Sequence, residues 1–320
     1  KSTLMKKINF MKWICLPCMV LSIFYSCSKD TIYIYPDSDS NKDNANTNDK
    51  TYPVSFSAVM LSLNLTKSMF TFPQGRYATV FVYNQGQTPS DVPIESANYT
   101  TKSSGILSPL AANIFLTNGE YDFYSVATNS TTNRTPTFSK GTSSALSNGV
   151  DYLWWKTPKY AISGTAANID IVYTHSCSQI VIQVTGGNGI TINSIDSAKI
   201  TPPVTTGTMD LGTGQIPSAT SLSTNYMKMG VAQNTCQATL LPLKTSDQMS
   251  VVLYIKVNNE TTPRTYAVSV PVPGDVLVAG DSYLFKAIVN ATTITFPSVS
   301  VIGWVVVNEQ GEPLYPGEIN

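Results

Sequence analysis

Cys27 is the residue whose setting points most directly to chemistry. It follows Ser26 and closes an almost unbroken apolar run from Trp13 to Tyr25. A small residue before a cysteine suits a peptidase that cuts ahead of a cysteine whose thiol must be free to take a diacylglycerol. Signal cleavage between Ser26 and Cys27 and lipidation of Cys27 are the expected covalent events. His175 is the only histidine. It stands on the apolar side of a period-2 pattern, with no nucleophile and orienting acid nearby in sequence. A hydrogen-bonded, half-buried structural histidine is therefore expected in place of a catalytic one. Cys15 and Cys18 lie inside the apolar run, which leaves Cys177 and Cys236 for the folded part. These two can pair in an oxidising compartment or stand free in a core, and spacing alone leaves both readings open. One histidine with two cysteines makes a poor zinc site, which wants four close ligands. Asp37, Asp39 and Asn41 imitate the start of a calcium loop. Lys42 stands where glycine is needed and Asn48 where the bidentate glutamate should be, so calcium binding is rejected. The sequence predicts no catalytic residue, no cofactor and no metal, and hence no enzyme.

The elements around Cys27 are those of an exported chain. Lys6 and Lys7 follow Met5, and the apolar run after them is 13 residues long. That suits a signal peptide and falls short of the roughly 20 residues needed to span a bilayer. The end of the run resembles a lipobox, with Phe24 and Tyr25 in place of the usual leucine and small residue. An ordinary secretory signal or a short membrane anchor is the alternative. Residues 1–26 are read as the signal peptide. Their removal takes four lysines and no acid, leaving 294 residues with a net charge of −4. Residues 27–51 are polar and low in complexity, cannot bury a core, and read as a lipidated flexible tether.

Only 12% of the residues are charged, against roughly 25% in an ordinary soluble domain. No basic stripe is present, so nucleic acid is not an expected partner. From Tyr52 the pattern becomes alternating. Val54, Phe56, Ala58 and Met60 face one way, and similar runs recur at 77–83, 120–126, 169–175, 180–184, 251–257, 266–272, 283–289 and 299–307. Clusters such as Asn84-Gln85-Gly86 and Gly186-Gly187-Asn188-Gly189 separate them. The expected class is all-β, antiparallel, in sandwich form. A phase slip marks a boundary. Odd positions from Ile169 to Cys177 share a face, then even positions from Ile180 to Val184 do. A bulge or a strand break is required at Ser176 to Gln179. We read it as the junction between an N-terminal domain, 52–176, and a C-terminal domain, 177–320.

With these features in place the chain resembles the fimbrillin family, the pilin-like lipoproteins of Gram-negative anaerobes. The resemblance rests on the relaxed lipobox at Cys27, the tether, the strand Tyr52-Pro-Val-Ser-Phe56 and the segment Gly119 to Thr128. It also rests on Ala167 to His175 followed by Ser178 to Val184, and on the closing Val301-Ile-Gly-Trp304. It implies two tandem transthyretin-like β-sandwich domains and transport to the outer membrane and cell surface. It further implies proteolytic removal of the tether and first strand. A strand from another pilin subunit then fills the groove, which is β-augmentation. The implied role is a fimbrial structural or accessory subunit. The alternative is a non-polymerising surface lipoprotein acting as an adhesin for host glycans or proteins.

The family's processing protease cuts after Arg, or after Lys in some members. The first arginine, Arg76, falls at a predicted strand, so Lys50 is the preferred site and Lys67 the next. The tail after Val307 holds two prolines and two glycines and makes a poor donor strand, so Val299 to Val307 is expected to serve instead. The family's hosts also glycosylate Asp-Ser/Thr-apolar triplets. Asp196-Ser197-Ala198 and Asp30-Thr31-Ile32 fit, making Ser197 and Thr31 candidate O-glycosylation sites, with chance occurrence as the alternative.

Overall fold

The computed structural model describes residues 50–61, 69–205 and 207–304. The described residues are built from strands and short turns. In the first half these are β1 (Tyr52–Leu61), β2 (Met69–Thr71), β3 (Tyr77–Asn84), β4 (Glu95–Thr101), β5 (Ile106–Pro109), β6 (Ile114–Leu116), β7 (Gly119–Thr128), β8 (Phe138–Ser139), β9 (Thr142–Ser143), β10 (Tyr152–Ile162) and β11 (Ala167–His175). The second half holds β12 (Ser178–Gly186), β13 (Ile192–Ile200), β14 (Met227–Lys228), β15 (Gly230–Ala232), β16 (Thr235–Leu240), β17 (Leu243–Lys244), β18 (Gln248–Val257), β19 (Arg264–Pro271), β20 (Val276–Leu277), β21 (Ser282–Val289) and β22 (Ile294–Ile302).

In the first half the strand order is β11-β10-β7-β3-β4-β5-β1-β2, and β1 also pairs with β11, so the sheet closes on itself. Two narrow links help to close it. β10 meets β11 only at Leu153↔His175 and Trp154↔Thr174, and β1 meets β5 only at Phe56↔Leu107 and Ser57↔Ile106. Closure removes free edges, the standing hazard of antiparallel sheets. The inward positions of these strands, among them Val54, Phe56, Val80, Tyr99, Phe123, Ile171 and Tyr173, form one core.

The second half is a sandwich. A five-stranded sheet, β15-β16-β12-β21-β22, faces a four-stranded one, β14-β13-β18-β19. Alternate residues of both, such as Ile182, Phe285, Leu253 and Val270, meet in a second core. A third cluster draws on both sides of residue 176. It contains Phe81, Tyr83, Tyr152, Cys177, Met209, Leu211 and Trp304. Hydrogen bonds reinforce it: Trp154 Nε1 donates to the Leu211 carbonyl (2.7 Å), and the Gly149 amide donates to the Thr239 carbonyl (2.8 Å).

The phase slip resolves as a strand break. β11 ends at His175, β12 starts at Ser178, and Ser176 and Cys177 carry the chain from one sheet to the next. Two pairings depart from the antiparallel expectation. β1 runs parallel to β11 over seven positions, and β12 runs parallel to β21 over eight. Alternation reports which face a strand buries and carries no information about the direction of its neighbour.

Candidate assembly site

The strand that bears most on function is β1. Its inward side chains, Val54, Phe56, Ala58 and Met60, are all at most 3% exposed. Burial of the three larger ones is worth about 2 kcal/mol each. The Phe56 ring packs edge-on against Tyr99 (5.4 Å between centroids) and Phe123 (6.1 Å). The parallel register with β11 sets like beside like. Phe56 lies opposite Ile169, Ala58 opposite Ile171 and Met60 opposite Tyr173, all facing the core. On the outer face Ser55 Oγ donates to Asn168 Oδ1 (3.0 Å) and Ser57 bonds Asp170. The far edge of β1 is filled in succession by β6 at 52–54, β5 at 56–57 and β2 at 59–61. β1 is thus a central strand. Its withdrawal would leave a slot with apolar floor and unpaired backbone on both sides.

This geometry changes the reading of Lys50. Lys50 is exposed and sits two residues ahead of β1, with its ammonium 5.6 Å from the Tyr52 ring. A cut there detaches the tether and leaves β1 attached to the rest of the chain. Release of β1 as well needs a cut between Leu61 and Met69, where Lys67 is the sole basic residue. Lys67 lies outside the described residues. Arg76 is buried and donates from Nε to Asn129 Oδ1 (2.9 Å), so it does not offer itself to a protease.

The expected donor segment also changes. β22 ends at Ile302 and is already bonded to β21, from Val289↔Ile294 to Ser282↔Ile302. Residues 299–302 would have to leave β21 before entering another subunit. The rest of the expected donor, 305–307, lies outside the described residues.

His175 is more deeply placed than expected. It is 7% exposed, its Nδ1 lies 2.9 and 3.1 Å from the two oxygens of Asp151, and its ring stacks on Trp304 at 3.8 Å and 13°. Two residues 129 positions apart, each noticed separately in sequence, hold one another. The sequence offered no sign of Asp151 as their partner.

Cys177 and Cys236 are free thiols, which resolves the open disulfide question against a bond. Cys236 pairs with Ile182, five residues along β12 from Cys177. At about 3.3 Å per residue that is roughly 16 Å, beyond the ~7 Å that a disulfide can bridge. Burial pushes the Cys236 thiol up to about 12 and Cys177 further still, so neither is a ready nucleophile. Ser197 is exposed on β13. Its neighbour Asp196 is engaged by Ser194 (2.8 Å) and Lys256 (3.1 Å), which hold that carboxyl below its ordinary range. Ser26, Cys27 and Thr31 lie outside the described residues.

The family model described as fimbrillin-like matches residues 65–304. The chain belongs to the fimbrillin-like family. Membership puts it among fimbrial or adhesin-like surface proteins. No curated protein sequence matches it. Solved structures of candidate cell adhesion proteins share the fold. One from Bacteroides ovatus has a TM-score of 0.57 at 16% identity, covering 81% of this chain and 100% of that one. Another from Bacteroides uniformis has a TM-score of 0.54 at 14% identity, covering 79% and 97%. A third from Bacteroides fragilis has a TM-score of 0.53 at 16% identity, covering 79% and 97%.

Proposed function

We propose that this fimbrillin-like protein is an accessory fimbrial subunit of the outer-membrane surface that accepts a donor strand in place of β1. Lipidation at Cys27 would hold the exported chain on the membrane through the 27–51 tether. Cleavage after Lys67 would then free the tether together with β1. The observation that carries the reading is the position of β1: a ten-residue strand, first among the described strands, buried on one face only and bonded along both edges. An extended segment from another subunit would satisfy the same backbone groups and fill the places of Val54, Phe56, Ala58 and Met60. The acceptor role is favoured over a donor role because 294–302 are already paired with β21.

Limited digestion with a lysine-specific protease tests the processing step, with mass spectrometry of the first products. The expected result is release of a fragment ending at Lys67 and conversion of the clipped protein into SDS-resistant assemblies on mixing with a subunit that donates a strand. Lys67→Gln blocks that conversion and Lys50→Gln does not. A clipped protein that takes no strand at high concentration would defeat the proposal and favour the second reading, a monomeric adhesin. That reading draws on the closed first sheet, which is complete as it stands.

A further inference from the structure

The sandwich of the second half has an open edge of a kind that the closed first sheet lacks. β22 is the last strand of the five-stranded sheet, and no described strand lies on its other side. Its N-terminal part is guarded. Pro297 interrupts it, and the register shifts between Lys286 and Ile288, where β22 carries one residue more than β21. A proline and a bulge are two of the devices that keep a sheet edge from pairing with another chain. Residues 298–302, Ser-Val-Ser-Val-Ile, have neither device and hold no charge. Val299 lies opposite Phe285 and Val301 opposite Tyr283, so both valines share the face of two core side chains. They are nevertheless 43% and 60% exposed, since the facing sheet ends at β19 and leaves this margin uncovered. The other edges of the sandwich offer less. β14 and β15 are two and three residues long, and β19 buries Tyr266 and Val270 inside the core.

We propose that residues 298–302 form a docking edge for a second copy of this chain, paired antiparallel about a two-fold axis at Ser300. The segment is self-complementary under that operation. Val299 of one copy falls opposite Val301 of the other, so the exposed valines cover one another along a single face. Ser300 falls opposite Ser300 on the other face, where two hydroxyls can hydrogen-bond. The backbone groups that each edge leaves open are satisfied by the other. No charge opposes the approach: the nearest on the paired strands is Lys286, opposite Ser298, and its counterpart lies at least three strand spacings away, roughly 14 Å. An isologous contact uses both open edges at once and closes, which gives a dimer and no fibre. Five residues a side bury less than the roughly 1,200 Å² of a standard interface, so the dimer is a weak one. The inference stands apart from strand exchange, since it concerns the uncut chain and does not involve β1.

The test is sedimentation velocity of the uncut protein over a concentration series. A monomer–dimer equilibrium with a Kd of about 10–100 μM is expected. Val301→Lys places a charge on the edge at an exposed position and should raise that Kd by about tenfold or more. Ala267→Lys, exposed on β19, makes the same change at the neighbouring edge and should leave it unaltered. Circular dichroism of both variants confirms that they fold. The two-fold also sets the Ser300 Cα atoms about 4.5–5.5 Å apart, within reach of a disulfide. Ser300→Cys should therefore cross-link into a covalent dimer on mild oxidation, well above the level seen in the parent. The proposal is overturned by a parent that stays monomeric up to about 500 μM, well past the expected Kd. It is equally overturned by a dimer that Val301→Lys does not weaken, by open-ended oligomers, or by a Ser300→Cys protein that cross-links no more than the parent.

Discussion

β1 and β12 open the two halves of the molecule with the same device and are held very differently. Each lies between a late strand that runs parallel to it and antiparallel partners on its other edge. β1 buries alternate residues only, with Pro53 and Ser55 exposed on its outer face. β12 buries its first five residues without a break, Ser178 to Ile182. Its polar members there are satisfied locally, Ser178 Oγ by the Leu240 carbonyl (3.3 Å) and Gln179 Oε1 by Ser282 Oγ (2.7 Å). A strand buried on both faces and fed by chain at both ends is fixed in its half. A strand buried on one face and joined to the next described strand through residues 62–68 would, under the proposed function, be released by one cut there. The same pairing thus fixes β12 in one half, while in the proposed function it lets β1 be exchanged in the other.

The comparison can be broken most severely by alkali. Burial, helped by nearby Tyr124 and Asp91, pushes Tyr83 from its ordinary 10.0 to about 12, and burial drives Tyr99 and Tyr173 higher. In the second half burial raises Cys236 from 9.0 to about 12 and also raises Tyr283. A raised folded value means that the folded state holds its proton longer than the unfolded chain. The stabilisation is complete below the unfolded value and is lost as pH climbs through the folded one. Tyrosine absorbance and far-ultraviolet circular dichroism should show cooperative unfolding above about pH 10, with the first half, richer in such tyrosines, leading.

Truncation of core residues comes next in size. Phe56→Ala should cost about 3–5 kcal/mol and Ile182→Ala about 2–5 kcal/mol in urea titrations of the intact chain. The two should diverge after cleavage at Lys67. Phe56→Ala should hasten loss of the fragment that ends at Lys67, and Ile182→Ala should leave that rate unchanged. Equal effects on release would erase the distinction between the two strands. A smaller effect is expected at the seam between the halves. His175→Ala removes both the Asp151 contact and the Trp304 stack, at about 1–3 kcal/mol in the same urea titrations, and should leave the rate of fragment release after cleavage at Lys67 unchanged, since the seam lies outside the slot. Smallest is Ser55→Ala, which removes the Asn168 bond on the outer face at about 0.5 kcal/mol and should speed fragment release slightly.

How far these features were legible in sequence varies with the strand. β1, β7, β11, β12 and β21 declare themselves because they bury one face or one run against a core, and that burial is written in the alternation. β10 was hidden: Pro158 and Lys159 interrupt it, Lys159 takes a left-handed φ of 56°, and the register shifts between Thr157 and Tyr160. β4 was missed because Glu95-Ser-Ala-Asn-Tyr-Thr-Thr101 offers few apolar residues to alternate. Pairing is the deeper loss. Ala167-Asn-Ile-Asp-Ile and Val54-Ser-Phe-Ser-Ala share a rhythm, yet only the folded chain sets them side by side with serines against Asn168 and Asp170. That pairing also shifts the proposed processing site from Lys50 to Lys67, since it shows that the strand to be released runs to Leu61 and is held along both edges.

The most direct test of the account is peptide exchange at the slot. A fluorescent peptide of residues 52–61 is added to protein cut after Lys67, and incorporation is followed by fluorescence anisotropy. Incorporation near one peptide per chain is predicted, with departure of the fragment that ends at Lys67 and no uptake by the uncut protein. A cut protein that keeps its own fragment and takes up no peptide would contradict the claim that β1 is the exchangeable strand.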